Sequence, residues 1–284
     1  MARTIVFIHG AWVTAACWER MLPWFEARGY RCIAPAWPGK DRSVEAIRAD
    51  PSPLKGLGIG EIVDHYERIL RSLDHPEPPI LIGHSFGGLF TQILLDRGLG
   101  AAGVAIDSAP PRGVWPFEPS AFRALGGALL RSAFGTRVVR WSFGEFRYGF
   151  VHTLPAAEAR DAYVRQVVPE SGRVFFQGAL APVNPRSPTK VDFANASRAP
   201  LLLIAGGEDH VVPPVVNRRN HRAYQRSAAR TDFREFPNRV HWIIAQEGWQ
   251  EVAEHIAGWL EGLGLGPGPA DVRSELRPGP APAA

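Results

Sequence analysis

Gly83-His84-Ser85-Phe86-Gly87, followed by Gly88, is the stretch of this chain whose residue types and spacing speak most directly of chemistry. A serine hydroxyl is a weak nucleophile at neutral pH and needs a base within hydrogen-bond reach. The G-x-S-x-G spacing alone arises by chance in roughly one chain in ten of this length. Its setting is more specific. It follows the apolar run 80–83 and precedes the apolar stretch 86–95, which places it between a strand and a helix. That context predicts a sharp turn projecting the Ser85 Oγ from the C-terminal edge of a sheet. Gly83 and Gly87 have no Cβ, so strand and helix can close around the turn.

Histidine, which ordinarily titrates near neutrality, suits the base. Of the nine in the chain, His241 falls in a loop between the last strand-like run and the last helix. His65 and His75 lie in or after a surface helix, and His84 is expected to point away from Ser85. His152 is in a long central segment, while His210, His221 and His255 sit beside an acid or on helices. His9 ends the first strand and is assigned a structural role, bonding loop backbone. One carboxylate is enough to fix the imidazole tautomer. Glu208 and Asp209, after the fifth strand, and Asp107, after the fourth, all stand at the sheet edge where loops gather catalytic groups.

The elements that must position these groups alternate. Strands are predicted over 4–9, 30–36, 80–83, 104–106, 201–205 and, more weakly, 233–236. Helices are predicted over 17–28, 59–73, 86–95 and 246–263, with a polar loop through the Pro- and Gly-containing stretch that ends at Gly58. This alternation implies an α/β fold, a mostly parallel doubly wound sheet covered on both faces. About ninety residues separate the fourth and fifth strands, too many for one crossover. Residues 110–197 are therefore expected to form an inserted helical cap, with helices near 119–134 and 155–168. The core is then 1–109 with 198–263, and the Pro/Gly-rich tail 264–284 is expected to be disordered.

Composition narrows the function classes. The 284 residues are 45% hydrophobic and 21% charged, with a net charge of +4 carried mostly by Arg. No basic run with interleaved aromatics suggests nucleic-acid binding. No apolar run approaches the roughly 20 residues that span a bilayer, and no signal-peptide pattern opens the chain. Two cysteines, Cys17 and Cys32, make no disulfide framework. The expectation is a cytoplasmic protein that binds a small-molecule substrate, with neither nucleic acid nor membrane as partner and a homodimer left open.

Taken together, His9-Gly10, the Ser85 pentapeptide, Gly206-Gly207-Glu208-Asp209 and Val240-His241-Trp242 resemble the α/β-hydrolase superfamily, over about residues 3–263. The likeness is narrower to its small cap-bearing members: serine esterases, C–C hydrolases and lactonases. It implies a sheet lacking the family's first antiparallel pair. It also implies Ser85, Asp209 and His241 as nucleophile, acid and base in the family's chain order, with Asp209 preferred to Asp107. The oxyanion hole falls to the backbone N–H groups of Ala11 and Phe86; loss of one such donor typically costs about 3–4 kcal/mol. Serine rather than aspartate at 85 argues against the haloalkane dehalogenase and epoxide hydrolase branches. No metal or organic cofactor is required. Aromatics are dense over 115–150, so Trp12, Trp115, Trp141 and Trp242 are candidates to line an apolar pocket, where an Arg could hold an anionic group. The expected reaction is hydrolysis of an ester, lactone or related acyl bond of a medium-sized apolar or aromatic molecule. A cofactor-independent oxygenase or lyase on the same triad, and a non-catalytic ligand receptor, are the alternatives.

Overall fold

Apolar runs without alternation are what a strand buried on both faces requires. In the computed structural model, which describes residues 2–74 and 76–267, four such runs form the middle of a six-stranded sheet: β1 (Thr4–Ile8), β3 (Ile80–His84), β4 (Ala102–Ile106) and β7 (Leu201–Gly206). Every residue of these four is buried. The edges are β2 (Arg31–Ile33) and β8 (Thr231–Phe236), both half-exposed, which is why their sequences are more polar. The order is β2-β1-β3-β4-β7-β8 and every pairing is parallel. Connections leave β1 toward β2 on one side and return to β3 on the other. The crevice at the C-terminal ends of β1 and β3 is therefore the topological switch point, where such sheets bind ligands.

Helices α1 (Met21–Glu26), α2 (Val44–Ala49), α3 (Ile59–Ser72) and α4 (Phe86–Asp96) fall between these strands. Nine consecutive residues of α4, Gly87–Leu95, are buried. Between β4 and β7 lie α5 (Pro119–Arg131), β5 (Val138–Val139), α6 (Phe143–Phe150), α7 (Ala156–Gln166), β6 (Glu170–Ser171) and α8 (Gly172–Ala179), with β5 and β6 paired antiparallel. The chain closes with α9 (Pro214–Tyr224) and α10 (Trp249–Gly262). One continuous hydrophobic cluster runs from the sheet into the inserted segment through Trp12, Trp141, Phe150 and Phe175.

Three local expectations are corrected. The polar stretch read as loop contains α2, whose Ser43 Oγ caps the Ala46 N–H. The helix expected over 17–28 is broken: a 3-10 turn covers Ala15–Trp18 and α1 begins only at Met21. The inserted segment holds α6 and α8 besides the two helices expected there. A capping box, Ser142 with Glu145, starts α6 and was legible as S-x-x-E. At the C-terminus, Leu265 is still attached, its carbonyl accepting the Tyr30 hydroxyl at 3.2 Å. The expected disorder beyond 267 lies outside the described residues. No helix among the described residues is long and apolar enough to cross a membrane.

Candidate active site

Ser85 occupies the one-residue turn between β3 and α4 at φ 58°, ψ −121°, a left-handed region that only a rigid surround enforces on a non-glycine residue. The surround is close packing. A Cβ on Gly83 would overlap the Gly87 backbone, and one on Gly87 would overlap the Ile8 and His9 carbonyls. A Cβ on Gly10 would stand 2.7 Å from the Ser85 Cβ and 3.3 Å from its Oγ. Three glycines therefore let β1, β3 and α4 converge on one hydroxyl.

His241 reaches the site from the loop after β8. Its Nδ1 lies 2.6 Å from Asp209 Oδ2, with both side chains fully buried. Asp209 Oδ1 accepts the N–H groups of Val211 and Val212 at 2.7 and 2.9 Å, so the carboxylate is locked from both ends. His241 Nε2 is buried and has no hydrogen-bond partner. The ring is steadied by the edge of Phe150, with centroids 4.4 Å apart. The carboxylate that meets the imidazole is thus Asp209. Asp107 instead accepts the Gly206 N–H on Oδ1. Burial, and then the neighbouring Asp209 charge, push the Asp107 carboxyl well above the usual range, which favours its neutral form.

Two further histidines serve backbone. His84 Nε2 donates to the His241 carbonyl at 2.8 Å, and burial, then His241, hold the His84 ring well below the ordinary histidine range. Its neutral imidazole anchors the main chain of His241. His9 Nε2 accepts the Trp37 N–H at 3.2 Å, which leaves the proton on Nδ1 to donate to the Gly10 carbonyl at 2.8 Å. Burial and the Lys40 charge hold His9 neutral too. A peptide unit carries its C=O and N–H on opposite sides, so fixing the Gly10 carbonyl aims the Ala11 N–H the other way. Neither the Ala11 nor the Phe86 N–H is taken up by another group among the described residues. One ligand atom each from His84, Asp107 and His241 lie within 4.8 Å of one another. Nδ1 of His241 is taken by Asp209, Nε2 of His84 by the His241 carbonyl and Oδ1 of Asp107 by the Gly206 N–H, so these bonds hold the 241 loop in place.

Ser85, Ala11 and Phe86 line a cavity of about 130 Å³ roofed by α5 and α8. Apart from Ser85, its wall is apolar: Leu89, Leu125, Leu129, Phe150, Phe175 and Val212 are representative, and no charged side chain lines it. Of the four tryptophans singled out from the sequence, only Trp12 is on this wall. Trp141 stacks behind it at 3.7 Å between centroids and is buried. Trp242 packs on Phe146 and Phe150 and faces a separate surface groove. Trp115 is 56% exposed, against Phe117. The expected Arg is likewise absent from the wall, which offers an unpaired guanidinium no anionic partner. Sequence reasoning missed the wall residues of α8 because their register depends on how the insertion folds.

Methylesterase 8 of Arabidopsis thaliana is 29% identical over 98 residues, 34% of this chain and 34% of that protein. An α-hydroxynitrile lyase of the same plant is 33% identical over 92 residues, 31% of this chain and 30% of the other. These alignments span about a third of the curated relatives' length. Among solved structures, the monoacylglycerol lipase of Paleococcus ferrophilus superposes with a TM-score of 0.64 at 21% identity, covering 91% of this chain and 94% of that one. Residues 5–255 match the profile of the Alpha/beta hydrolase family. With the parallel sheet, the serine turn at its switch point and that match over most of its length, the chain belongs to the alpha/beta hydrolase family.

Proposed function

We propose that this protein is a serine esterase that hydrolyses a neutral, apolar, medium-sized ester or related acyl compound through Ser85, His241 and Asp209. The observation carrying this reading is the buried His241–Asp209 pair, which leaves an unpartnered Nε2 at the sheet edge that also carries the strained Ser85. In this reading Ser85 Oγ attacks the substrate carbonyl carbon while its proton passes to His241 Nε2. Asp209 holds the ring and stabilises the imidazolium. The oxyanion falls to the Ala11 and Phe86 N–H groups. The C–O bond to the alcohol breaks as His241 returns the proton to it. Water, deprotonated by the same imidazole, then releases the acid from the acyl-serine.

The inserted segment 110–197 acts as a cap that excludes water from this chemistry. The wall, with Ser85 as its one polar side chain among apolar ones, favours a neutral acyl group. The methylesterase relatives support ester as the bond class. Phosphonylation of Ser85 by a fluorophosphonate, mapped by peptide mass, tests the nucleophile without the natural substrate. Turnover of p-nitrophenyl esters that persists in Ser85→Ala refutes the covalent route, and equal rates on acetate and bulky aryl esters refute the substrate size. The partial likeness to an α-hydroxynitrile lyase favours one second reading, in which His241 takes a proton from a substrate hydroxyl. Cyanide release from a cyanohydrin, without ester turnover, selects it.

A further inference from the structure

We propose that the buried Lys40–Glu170 ion pair is a positioning device that holds the Ala11–Val13 loop, and with it the Ala11 N–H, in the geometry that receives an oxyanion beside Ser85. The proposal rests on the acyl-transfer reading above.

The pair belongs to neither Ser85 nor the His241–Asp209 pair, yet both side chains are fully buried, Nζ to Oε2 at 2.5 Å. Lys40 follows the loop after β2, whereas Glu170 belongs to β6 in the inserted segment, 130 residues along the chain. What they share is the loop between them. Glu170 Oε2 accepts the Trp12 N–H at 3.1 Å, and Lys40 Nζ donates to the Val13 carbonyl at 3.0 Å. The Val168 N–H donates to the Trp12 carbonyl at 2.8 Å. Two consecutive residues of the oxyanion loop thus have three backbone groups held by this one locus.

The loop needs such a hold. Trp12 sits at φ 61°, a left-handed conformation costly for a bulky residue and kept only when the surroundings over-determine it. Its indole is clamped between Trp141 and Phe175, at 3.7 and 4.1 Å between ring centroids. Both clamps, like Val168 and Glu170, come from the inserted segment. The Gly10 carbonyl aims the Ala11 N–H, and the docking of that segment fixes the residues that follow it, so that the donor cannot swing away with the loop. A role as plain packing explains the pair poorly, since apolar groups of similar volume usually serve a core as well as a buried ion pair does. What apolar groups cannot do is accept one backbone N–H and donate to the next residue's carbonyl.

The test compares two charge-neutral double variants of the full chain, so that neither leaves a lone buried charge. Lys40→Met/Glu170→Leu removes the acceptor for the Trp12 N–H, while Lys40→Met/Glu170→Gln keeps one amide oxygen for it; the bond from the Ser171 N–H, which Glu170 Oε1 accepts at 2.8 Å, is lost in both doubles. The readouts are the rate of Ser85 phosphonylation by a fluorophosphonate, kcat and KM on a p-nitrophenyl ester, and melting temperature. Phosphonylation forms a bond from Ser85 Oγ to phosphorus, expels fluoride and places the phosphoryl oxygen in the oxyanion hole. The Leu double is expected to lose at least tenfold in labelling rate and in kcat, with KM within twofold. The Gln double is expected to recover at least fivefold of that loss. Labelling of the Leu double at the wild-type rate overturns the proposal, as does a loss that follows melting temperature equally in both doubles.

If the Leu double does not fold, Val168→Pro removes the donor to the Trp12 carbonyl while leaving the Lys40–Glu170 pair in place, and Val168→Ala reports the share of any effect that comes from the lost packing on Ile47 and Leu54. Val167 already has the extended conformation a following proline requires, φ −80° and ψ 124°. The proline variant is expected to label at least threefold more slowly, and a wild-type rate overturns the proposal. Failure of the catalytic reading looks different: the wild type itself is then not labelled at Ser85, and the positioning role falls with it.

Discussion

Replacing Asp209 with Asn changes one atom and should inactivate the site through proton placement alone. Asp209 Oδ1 lies under the Val211 and Val212 N–H groups, and Oδ2 lies 2.6 Å from His241 Nδ1. An asparagine has one oxygen to offer. Turning it toward His241 would leave two buried N–H groups facing an NH2, at about 1–3 kcal/mol each, or about 2–6 kcal/mol together. The oxygen therefore stays with the valines, and the NH2 meets Nδ1. Nδ1 can then only accept, so the imidazole proton moves to Nε2, the atom that must take the proton of Ser85. A wrong tautomer in a Ser–His–Asp site lowers kcat by about 10⁴, or about 5.4 kcal/mol at 1.36 kcal/mol per tenfold. Melting temperature should move by only a few degrees, since every hydrogen bond survives. The assay is kcat on p-nitrophenyl butyrate beside a thermal melt. Activity of Asp209→Asn within tenfold of wild type refutes the reasoning, as does an equal loss in Asp107→Asn.

Asp107→Asn should keep kcat within tenfold and instead change how stability depends on pH. The folded-state pKa of Asp107 is raised by burial and by Asp209, so the folded protein keeps a proton that the unfolded chain releases. That stabilising contribution is complete below the ordinary Asp pKa near 3.9 and is lost as pH rises through the folded value, at up to about 1.4 kcal/mol per pH unit. Asn cannot ionise, so its melting temperature should gain on wild type from pH 4 to pH 8; a constant gap argues against a neutral Asp107. An ester whose acyl chain ends in a carboxylate should react at least about 100-fold more slowly in kcat/KM than its neutral isostere, because the charge enters a wall with no cation. Comparable values would show a binding mode outside this cavity. Gly87→Ala should cost roughly 4 kcal/mol or more in a denaturant melt, since its Cβ falls onto the Ile8 carbonyl. A wild-type melt would mean that the turn can relax.

The sequence by itself determined the sheet and singled out the serine and histidine that the proposed reaction uses. Four apolar runs, each ending at Gly or at a polar turn, read as buried parallel strands because nothing in them alternates. Ser85, Asp209 and His241 then fall where strands end, and order along the chain orders them in space. It was silent where a residue's meaning depends on a partner far along the chain. Asp107 and Asp209 are both acids just past a strand; only the family resemblance prefers Asp209, and only the packing of the 241 loop brings it to Nδ1. Trp12, Trp141 and Trp242 are equally plausible wall residues until stacking puts one in front and another behind. Lys40 and Glu170 look like ordinary surface charges in polar stretches, yet they are buried against each other because the inserted segment folds over the first strand's loop. Periodicity and turn residues encode local geometry at short range. Burial, protonation and hydrogen-bond choice are set by neighbours far along the chain, 32 residues apart for Asp209 and His241 and 130 for Lys40 and Glu170, so they become readable only once the chain has closed.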